Sequence, residues 1–197
     1  PQTLGFADRM DYLSAMQTRH ALVGVVEEAL GVELSDRIKY IRTIMDELQR
    51  IDSHLLFYSC CGQDLGALTA FIYGMRDREE VLNVMEETTG GRLIQNYYRI
   101  GGCQEDIDVN LVENVKKLCK YLKPKFKEYH DILSSNRIFM NRFKGVGVLS
   151  KEDAISYGCT GGTGRATGWA NDVRKHHPYA MYDKVEFDEI TFTHGDS

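Results

Sequence analysis

The chain has 197 residues, 43% of them hydrophobic, with 18 glycines and only 3 prolines, enough for one domain with a real core and at most a smaller appended element. A formal net charge of −5 argues against nucleic-acid binding through a basic surface; no apolar run approaches the roughly 20 residues that span a bilayer and no signal-peptide pattern is present, so the chain reads as soluble or peripheral. Five cysteines, at positions 60, 61, 103, 119 and 159, form no C-x-x-C and suit a reducing cytosol better than a disulfide framework.

The chain begins at Pro1 and stops at His194-Gly195-Asp196-Ser197 just after a strand-like run, so both ends are expected to be cut from something longer. Gly5 to Ser14 reads as an irregular lead-in. A helix is predicted from about Thr18 to Leu30, stopped by Gly31. The organising stretch follows, Ser35 to Phe71. Ile38, Ile41, Met45, Leu48, Ile51 and Leu55 recur at steps of three and four, which stacks them on one face of a long amphipathic helix. Ser35 is its expected N-cap, with Asp36 in the first turn. Glu47, Arg50 and His54 flank that face within helical reach of one another. The helix is expected to run out in Cys60-Cys61-Gly62-Gln63-Asp64-Leu65-Gly66.

Leu65 to Met75 reads as a short buried helix, and Asp77 with Glu80 as a capping box opening a separate helix from Arg78 to Thr89, closed by Gly90-Gly91. Asn96 to Gly102 is a turn-rich aromatic segment. From Ile107 to Leu133 apolar residues again alternate by threes and fours, with Pro124 kinking or dividing the helix. The lysines on its other face (Lys116, Lys117, Lys120, Lys123, Lys125, Lys127) read as a solvated surface. A short extended run, Gly145 to Leu149, and a brief helix, Lys151 to Tyr157, lead to a glycine-rich loop at 158–168. Beyond Pro178 the segment 182–193, with Val185, Phe187, Ile190 and Phe192, reads as strand. The expected architecture is mainly α, a single helical core over 1–197 with a small β element near the C-terminal end.

Few of the usual chemical signatures survive inspection. There is no G-x-x-x-x-G-K-[ST], and Gly162-x-Gly164-x-x-x-Gly168 is one residue too long for a dinucleotide fingerprint, so the loop reads as structural, with Arg165 able to anchor a carboxylate of a partner. No H-E-x-x-H or spaced Cys/His set offers a metal site, and nothing marks a nucleophile elbow. His54 reads as a hydrogen-bonded structural histidine. Two residues remain. Tyr12, in the lead-in, carries a phenol that could donate a hydrogen bond and, if assisted, a proton. Asp64 sits at a helix end among apolar neighbours, where burial would raise its pKa. On residue type alone both are ordinary.

The motifs taken together are not. Arg9-Met10-Asp11-Tyr12-Leu13-Ser14, Tyr40-Ile41-Arg42, Glu47-Leu48-Gln49-Arg50-Ile51-Asp52-Ser53-His54-Leu55, Asp64-Leu65-Gly66-Ala67, Arg78-Glu79, Asn96-Tyr97-Tyr98-Arg99-Ile100-Gly101-Gly102, Gly145-Val146-Gly147-Val148 and Asp172-Val173-Arg174-Lys175-x-x-Pro178-Tyr179 follow one another in that order. The series resembles the 49-kilodalton (D-type) subunit family of respiratory complex I, the NADH-quinone oxidoreductase. It covers essentially the whole chain, which corresponds to the middle half of such a protein.

The resemblance implies a helical bundle of the nickel-iron hydrogenase large-subunit type. In a hydrogenase an R-x-C-x-x-C nickel motif sits where this chain has Arg9 to Ser14; both cysteines are missing, which argues against nickel chemistry. It implies instead a quinone-site subunit of a proton-translocating NADH-quinone oxidoreductase, peripheral on the cytoplasmic face of a bacterial inner membrane. The tyrosine matching Tyr12 hydrogen-bonds a quinone carbonyl, opposite a histidine on an upstream hairpin that would precede Pro1. The aspartate matching Asp64 pairs with that histidine. Cys60 and Phe71 match cavity-lining positions. Electrons would come from an iron-sulfur cluster in a partner, the B-type subunit of the complex. The C-type and membrane H-type subunits would be further partners, with NAD used elsewhere in the complex; the chain itself is expected to bind no cofactor. Many members carry a histidine where this chain has Ile94, so the resemblance implies a cluster potential less dependent on pH, suited to a low-potential acceptor such as menaquinone. The alternative is a helical partner-binding scaffold in a related membrane-bound hydrogenase-like or ferredoxin-fed complex, without its own active site; the isolated fragment is in any case expected to be inactive.

Overall fold

In the computed structural model, which describes residues 2–196, the predicted helices are present but several boundaries move. A single turn, α1 (Leu4–Ala7), interrupts the lead-in and precedes α2 (Ala15–Leu30), α3 (Asp36–Asp64) and α4 (Leu68–Thr89). A hairpin of β1 (Tyr98–Arg99) and β2 (Gly102–Cys103) leads to α5 (Val109–Leu122) and α6 (Lys125–Tyr129), then a π-helical turn, His130–Ser134. Next come α7 (Arg137–Phe143), α8 (Lys151–Ser156), α9 (Gly161–Ala166), α10 (Val173–His176) and a 3₁₀ turn, Tyr182–Lys184. The chain divides into two compact units, one ending at Leu133 and the other beginning at Ser134.

The first unit is built around α3. Ser35 caps it as expected, its hydroxyl accepting from the Ile38 amide at 3.4 Å. Ile41, Met45, Leu48 and Leu55 enter a core shared with Met16 and Val23 of α2, Val81 and Met85 of α4, Tyr97 and Tyr98, and Leu111, Leu118 and Leu122 of α5. Gly31 and Gly90 end α2 and α4 in the left-handed conformation, at φ of 64° and 72°, which glycine adopts without the penalty a β-carbon brings. Pro124 divides α5 from α6 as anticipated.

The expected break before Arg78 is absent: α4 runs unbroken from Leu68 to Thr89. Asp77 is no N-cap. Its buried carboxylate accepts hydrogen bonds from Tyr121 Oη and Arg76 Nε, both at 2.7 Å, and from Tyr129 Oη. Burial pushes this carboxyl up, but the bonds from Arg76, Tyr129 and Tyr121 outweigh it and leave the pKa below the ordinary value. A side chain satisfied by tertiary partners does not turn back to cap the backbone.

Helices α3 and α4 form a helical hairpin across Leu65–Ala67. Two glycines allow close approach. A β-carbon on Gly62 would lie 2.7 Å from Ala70 Cβ, and one on Gly74 would overlap Ser59 Oγ and stand 3.1 Å from the Leu55 carbonyl oxygen.

The second unit holds two further corrections. The glycine-rich stretch is not all loop, since Gly161–Ala166 is a helix whose Gly164 packs where a β-carbon would meet Cys159 O at 3.1 Å and Trp169 Cε3 at 3.2 Å. Nor is 182–193 a strand. The Phe192 and Gly195 amides donate to Arg165 O and Ala166 O, at 2.9 and 3.0 Å. These are last-turn carbonyls of α9, which lack partners in their own helix, so the segment's hydrogen bonds go to a helix end instead of a ladder. The small β element expected at the C-terminal end is absent among the described residues, whose strand pairing is confined to the hairpin at Tyr98–Arg99 and Gly102–Cys103, a segment read from the sequence as turn.

Replacing Gly with Ala inside a helix gains roughly 1 kcal/mol of intrinsic propensity, yet overpacking a tight contact costs typically 1–3 kcal/mol. Gly74→Ala should therefore lower the melting temperature of the chain, and Gly74→Val should lower it further. An unchanged or raised melting temperature for Gly74→Ala would show that α3 and α4 can move apart at little cost.

Candidate functional site

Tyr12 lies in the loop between α1 and α2. Asp11 Oδ1 accepts from the Leu13 amide at 3.2 Å and Asp11 O from the Ser14 amide at 3.0 Å, a local turn that aspartate favours. The ring is 56% exposed, and its hydroxyl makes no hydrogen bond among the described residues. Two contacts tie this loop to α3: Gln49 Nε2 donates to Leu13 O at 3.1 Å, and Ser14 Oγ stands 3.5 Å from Ser53 Oγ.

From Ser53 the same side of α3 continues through Phe57, Cys60 and Asp64, since steps of four, three and four return close to one azimuth. At 1.5 Å per residue, Cys60 and Asp64 lie about 10 and 16 Å further along the axis than Ser53. Phe57 is 70% exposed, and Leu68 and Ile72 at the start of α4 are also exposed. Phe71 is half-buried beside them. Cys60 and Asp64 thus lie on one exposed, partly apolar side of α3, while the Tyr12 loop meets α3 further back, at Gln49 and Ser53.

Asp64 corrects the expectation of burial. It is exposed as the last residue of α3. The apolar residues that follow pack on Gly62, which is buried against Ala70; Asp64 is two residues on, about 200° round the helix, and faces the other way. Cys60 is exposed, while burial and then the nearby Asp64 charge push the neighbouring Cys61 thiol up. Glu47 and Arg50 pair at 3.1 Å as their spacing implied, and His54 is exposed beside them. Arg165 has an internal carboxylate in view, Asp172 at 4.0 Å, which pairs more closely with Arg174 at 2.7 Å. No group of three or more His, Cys, Asp or Glu side chains among the described residues is placed to hold a metal ion.

Sequence reasoning missed a second polar system, buried under the first. Arg42 makes a two-armed pair with Glu27 at 2.7 and 2.8 Å and donates to Arg99 O and Gly102 O at 3.0 Å. Asp46 holds His20 Nδ1 at 2.6 Å and Tyr98 Oη at 2.7 Å. Arg19 pairs with Asp8, at 2.7 Å from Nη2. Asp52, 2% exposed, faces Arg78 of α4 at 3.0 Å and accepts from Gln49 Nε2 at 3.2 Å. The signal was present: Asp52 occupies the place after Leu48 and before Leu55 where a strict four-three repeat calls for an apolar residue. Burial there pushes its carboxyl up to about 6, against the lowering pull of Arg78 and Gln49.

Comparisons with known proteins agree with one another. A family model described as "Respiratory-chain NADH dehydrogenase, 49 Kd subunit" matches residues 64–197. The C/D subunit of the NADH-quinone oxidoreductase of Phocaeicola vulgatus is 65% identical over all of this chain, which covers 38% of that protein. The D subunit of the NADH-quinone oxidoreductase of Bacillus cereus is 41% identical, with 54% of its length covered. The chain therefore spans about half or less of the curated relatives it matches. Among solved structures, a chain of the membrane-bound sulfane sulfur reductase, described as an archaeal respiratory membrane complex, superimposes with a TM-score of 0.95 at 31% identity, covering 99% of this chain and 52% of that one.

Asp52 gives a pH-dependent expectation. A carboxyl raised from 3.8 to about 6 binds its proton more tightly in the folded chain. The stabilisation this brings is complete below the unfolded pKa and is lost as pH rises through the folded one, about 3 kcal/mol in all. Asp52→Asn cannot titrate. Urea unfolding across this range should show the variant gaining on the parent protein as pH rises, by that order of magnitude; parallel stability curves would mean that folding leaves the Asp52 pKa unshifted.

Proposed function

The chain belongs to the 49 Kd subunit family of the respiratory-chain NADH dehydrogenase, and from that membership we propose that it forms part of the site where such a complex reduces quinone. The observation that carries this reading is the phenol of Tyr12, exposed and without a hydrogen bond among the described residues, on a loop fastened to α3. Reducing a quinone to a quinol takes two electrons and two protons, and negative charge develops on both carbonyl oxygens. A phenol O–H aimed at one oxygen stabilises that charge as it forms. Asp64 would act at the other end through a histidine outside this chain, and Cys60 and Phe71 would border the cavity between.

Electrons would arrive from an iron-sulfur cluster held by a B-type partner, as in the complex whose subunit family the chain belongs to. C-type and H-type partners complete the proposed surroundings. The chain would be a peripheral member of a proton-translocating membrane assembly on its cytoplasmic face, with a bundle of the hydrogenase large-subunit kind. None of its described helices is long and apolar enough to cross a membrane. Ile94 stands where a titratable neighbour of the cluster is expected, and an aliphatic side chain carries no proton, which favours a low-potential acceptor such as menaquinone.

Two measurements test this reading in the whole complex containing the full-length protein. Tyr12→Phe should lower quinone reduction about 10- to 100-fold, the worth of one hydrogen bond made to a developing charge. Electron transfer to ferricyanide, which bypasses the cavity, should persist; unchanged quinone reduction would remove Tyr12 from the site. Redox titration of the adjoining cluster at several pH values should give a shallow slope, and a full proton-coupled slope would count against the role given to Ile94.

A further inference from the structure

The quinone reading leaves open what aims Tyr12. Its own side chain is held by nothing within the described residues, so its direction is inherited from the backbone of the Asp11–Ser14 turn. That turn is anchored to α3 through one well-formed hydrogen bond, from Gln49 Nε2 to Leu13 O at 3.1 Å. The Ser14–Ser53 contact is at the 3.5 Å limit.

Gln49 is an unusual choice of anchor. It is 1% exposed, and its amide nitrogen bonds two acceptors at once, Leu13 O and Asp52 Oδ2 at 3.2 Å. Its own carbonyl oxygen is buried without a partner, a cost that a purely packing residue would not carry. The double contact fixes the rotor, because turning the amide over would set its oxygen against two other oxygens. Asp52 in turn is held by Arg78. A continuous chain of polar contacts, Arg78–Asp52–Gln49–Leu13, therefore runs from α4 across α3 to the residue after Tyr12.

We propose that Gln49 is a positioning residue for quinone reduction: its side-chain amide, held by Asp52, sets the Leu13 peptide and thereby the aim of the Tyr12 phenol. This rests on the quinone-site reading of Tyr12. Gln49 touches neither quinone nor the reacting atoms, so its effect must pass through Tyr12. Met at this position keeps length and volume but donates nothing. Gln49→Met lets the turn move and lowers kcat/KM for quinone about tenfold.

The test is a four-cornered cycle in the whole complex: parent, Gln49→Met, Tyr12→Phe and the double variant. Each is assayed with a short-chain quinone and, separately, with ferricyanide. The expected result is a tenfold loss for Gln49→Met with ferricyanide activity intact, and no further loss when it is added to Tyr12→Phe. If Tyr12→Phe is impaired but Gln49→Met is neutral, or its loss multiplies undiminished in the double variant, the positioning role is overturned and the quinone reading stands. If Tyr12→Phe is itself neutral, both fall. Should Gln49→Met fail to assemble, shown by loss of ferricyanide activity too, Asp52→Asn takes its place in the cycle. It keeps the shape and an acceptor oxygen but removes the charge that holds the amide. A two- to threefold loss that vanishes in the Tyr12→Phe background supports the proposal; no loss, or a loss independent of Tyr12, overturns it.

Discussion

The buried polar row on α3 decides how the first unit is assembled. Arg42, Asp46, Gln49 and Asp52 each reach a different neighbour: Arg42 takes Glu27 of α2, Asp46 takes His20 of α2 and Tyr98 of β1, Gln49 takes the lead-in turn, and Asp52 takes Arg78 of α4. Apolar contacts are indifferent to small slips along a helix. These pairs are not, since a shift of one residue swings each side chain about 100° from its partner. Buried ion pairs add little net stability over a well-packed apolar substitute, while removing one partner costs roughly 3–5 kcal/mol. Their contribution here reads as register and uniqueness, with the apolar stripe supplying most of the favourable free energy.

The hairpin shows the same logic at its most economical. Two strands of two residues each have no independent stability. Tyr98 is buried with its hydroxyl on Asp46 Oδ1 and, at 3.1 Å, on Arg42 O. The Arg42 guanidinium donates to Arg99 O and Gly102 O on either side of the turn, and Glu27 Oε1 accepts from the Gly101 amide at 2.7 Å. Gly101, at φ 86°, supplies the left-handed step that the turn requires. The ordered run Asn96 to Gly102 is thus a short peptide written to fit the charges of α2 and α3.

How much of this could be read from the sequence follows from what kind of signal each part leaves. Periodicity gave α3 and its cap, because a long apolar stripe is a local and redundant signal. It misplaced the break before Arg78, because Asp77 with Glu80 imitates a cap and only the tyrosines of α5 and α6, over forty residues away, show that Asp77 belongs inside. Alternation at Val185 and Phe187 imitated a strand for a similar reason: a strand exists only if a partner does, and its hydrogen bonds went to the end of α9. Tyr12 and Asp64 were singled out through ordered motifs, and their local geometry, an exposed turn and an exposed helix end, leaves no trace in composition. Asp52 was legible in principle, as a carboxylate standing in an apolar row, and was passed over because Ile51 beside it satisfies nearly the same stripe.

The likeness to a component of a sulfane sulfur reductase bears on where function resides. A TM-score of 0.95 at 31% identity means that the backbone frame is the same while most side chains differ. A frame that serves respiratory complexes with differently named acceptors cannot itself specify the acceptor. What distinguishes them must lie outside the shared frame, in side chains that differ. In this chain the outward side of α3 carries Cys60 and Asp64 and the inward side carries the polar row, so one helix couples the two. The inward residues set its rotation, and that rotation determines what the outward residues meet. The outer side of α3 can then vary by substitution while the inner side keeps the frame, since the polar row and not the exposed residues makes the contacts to α2, β1, α4 and the lead-in turn.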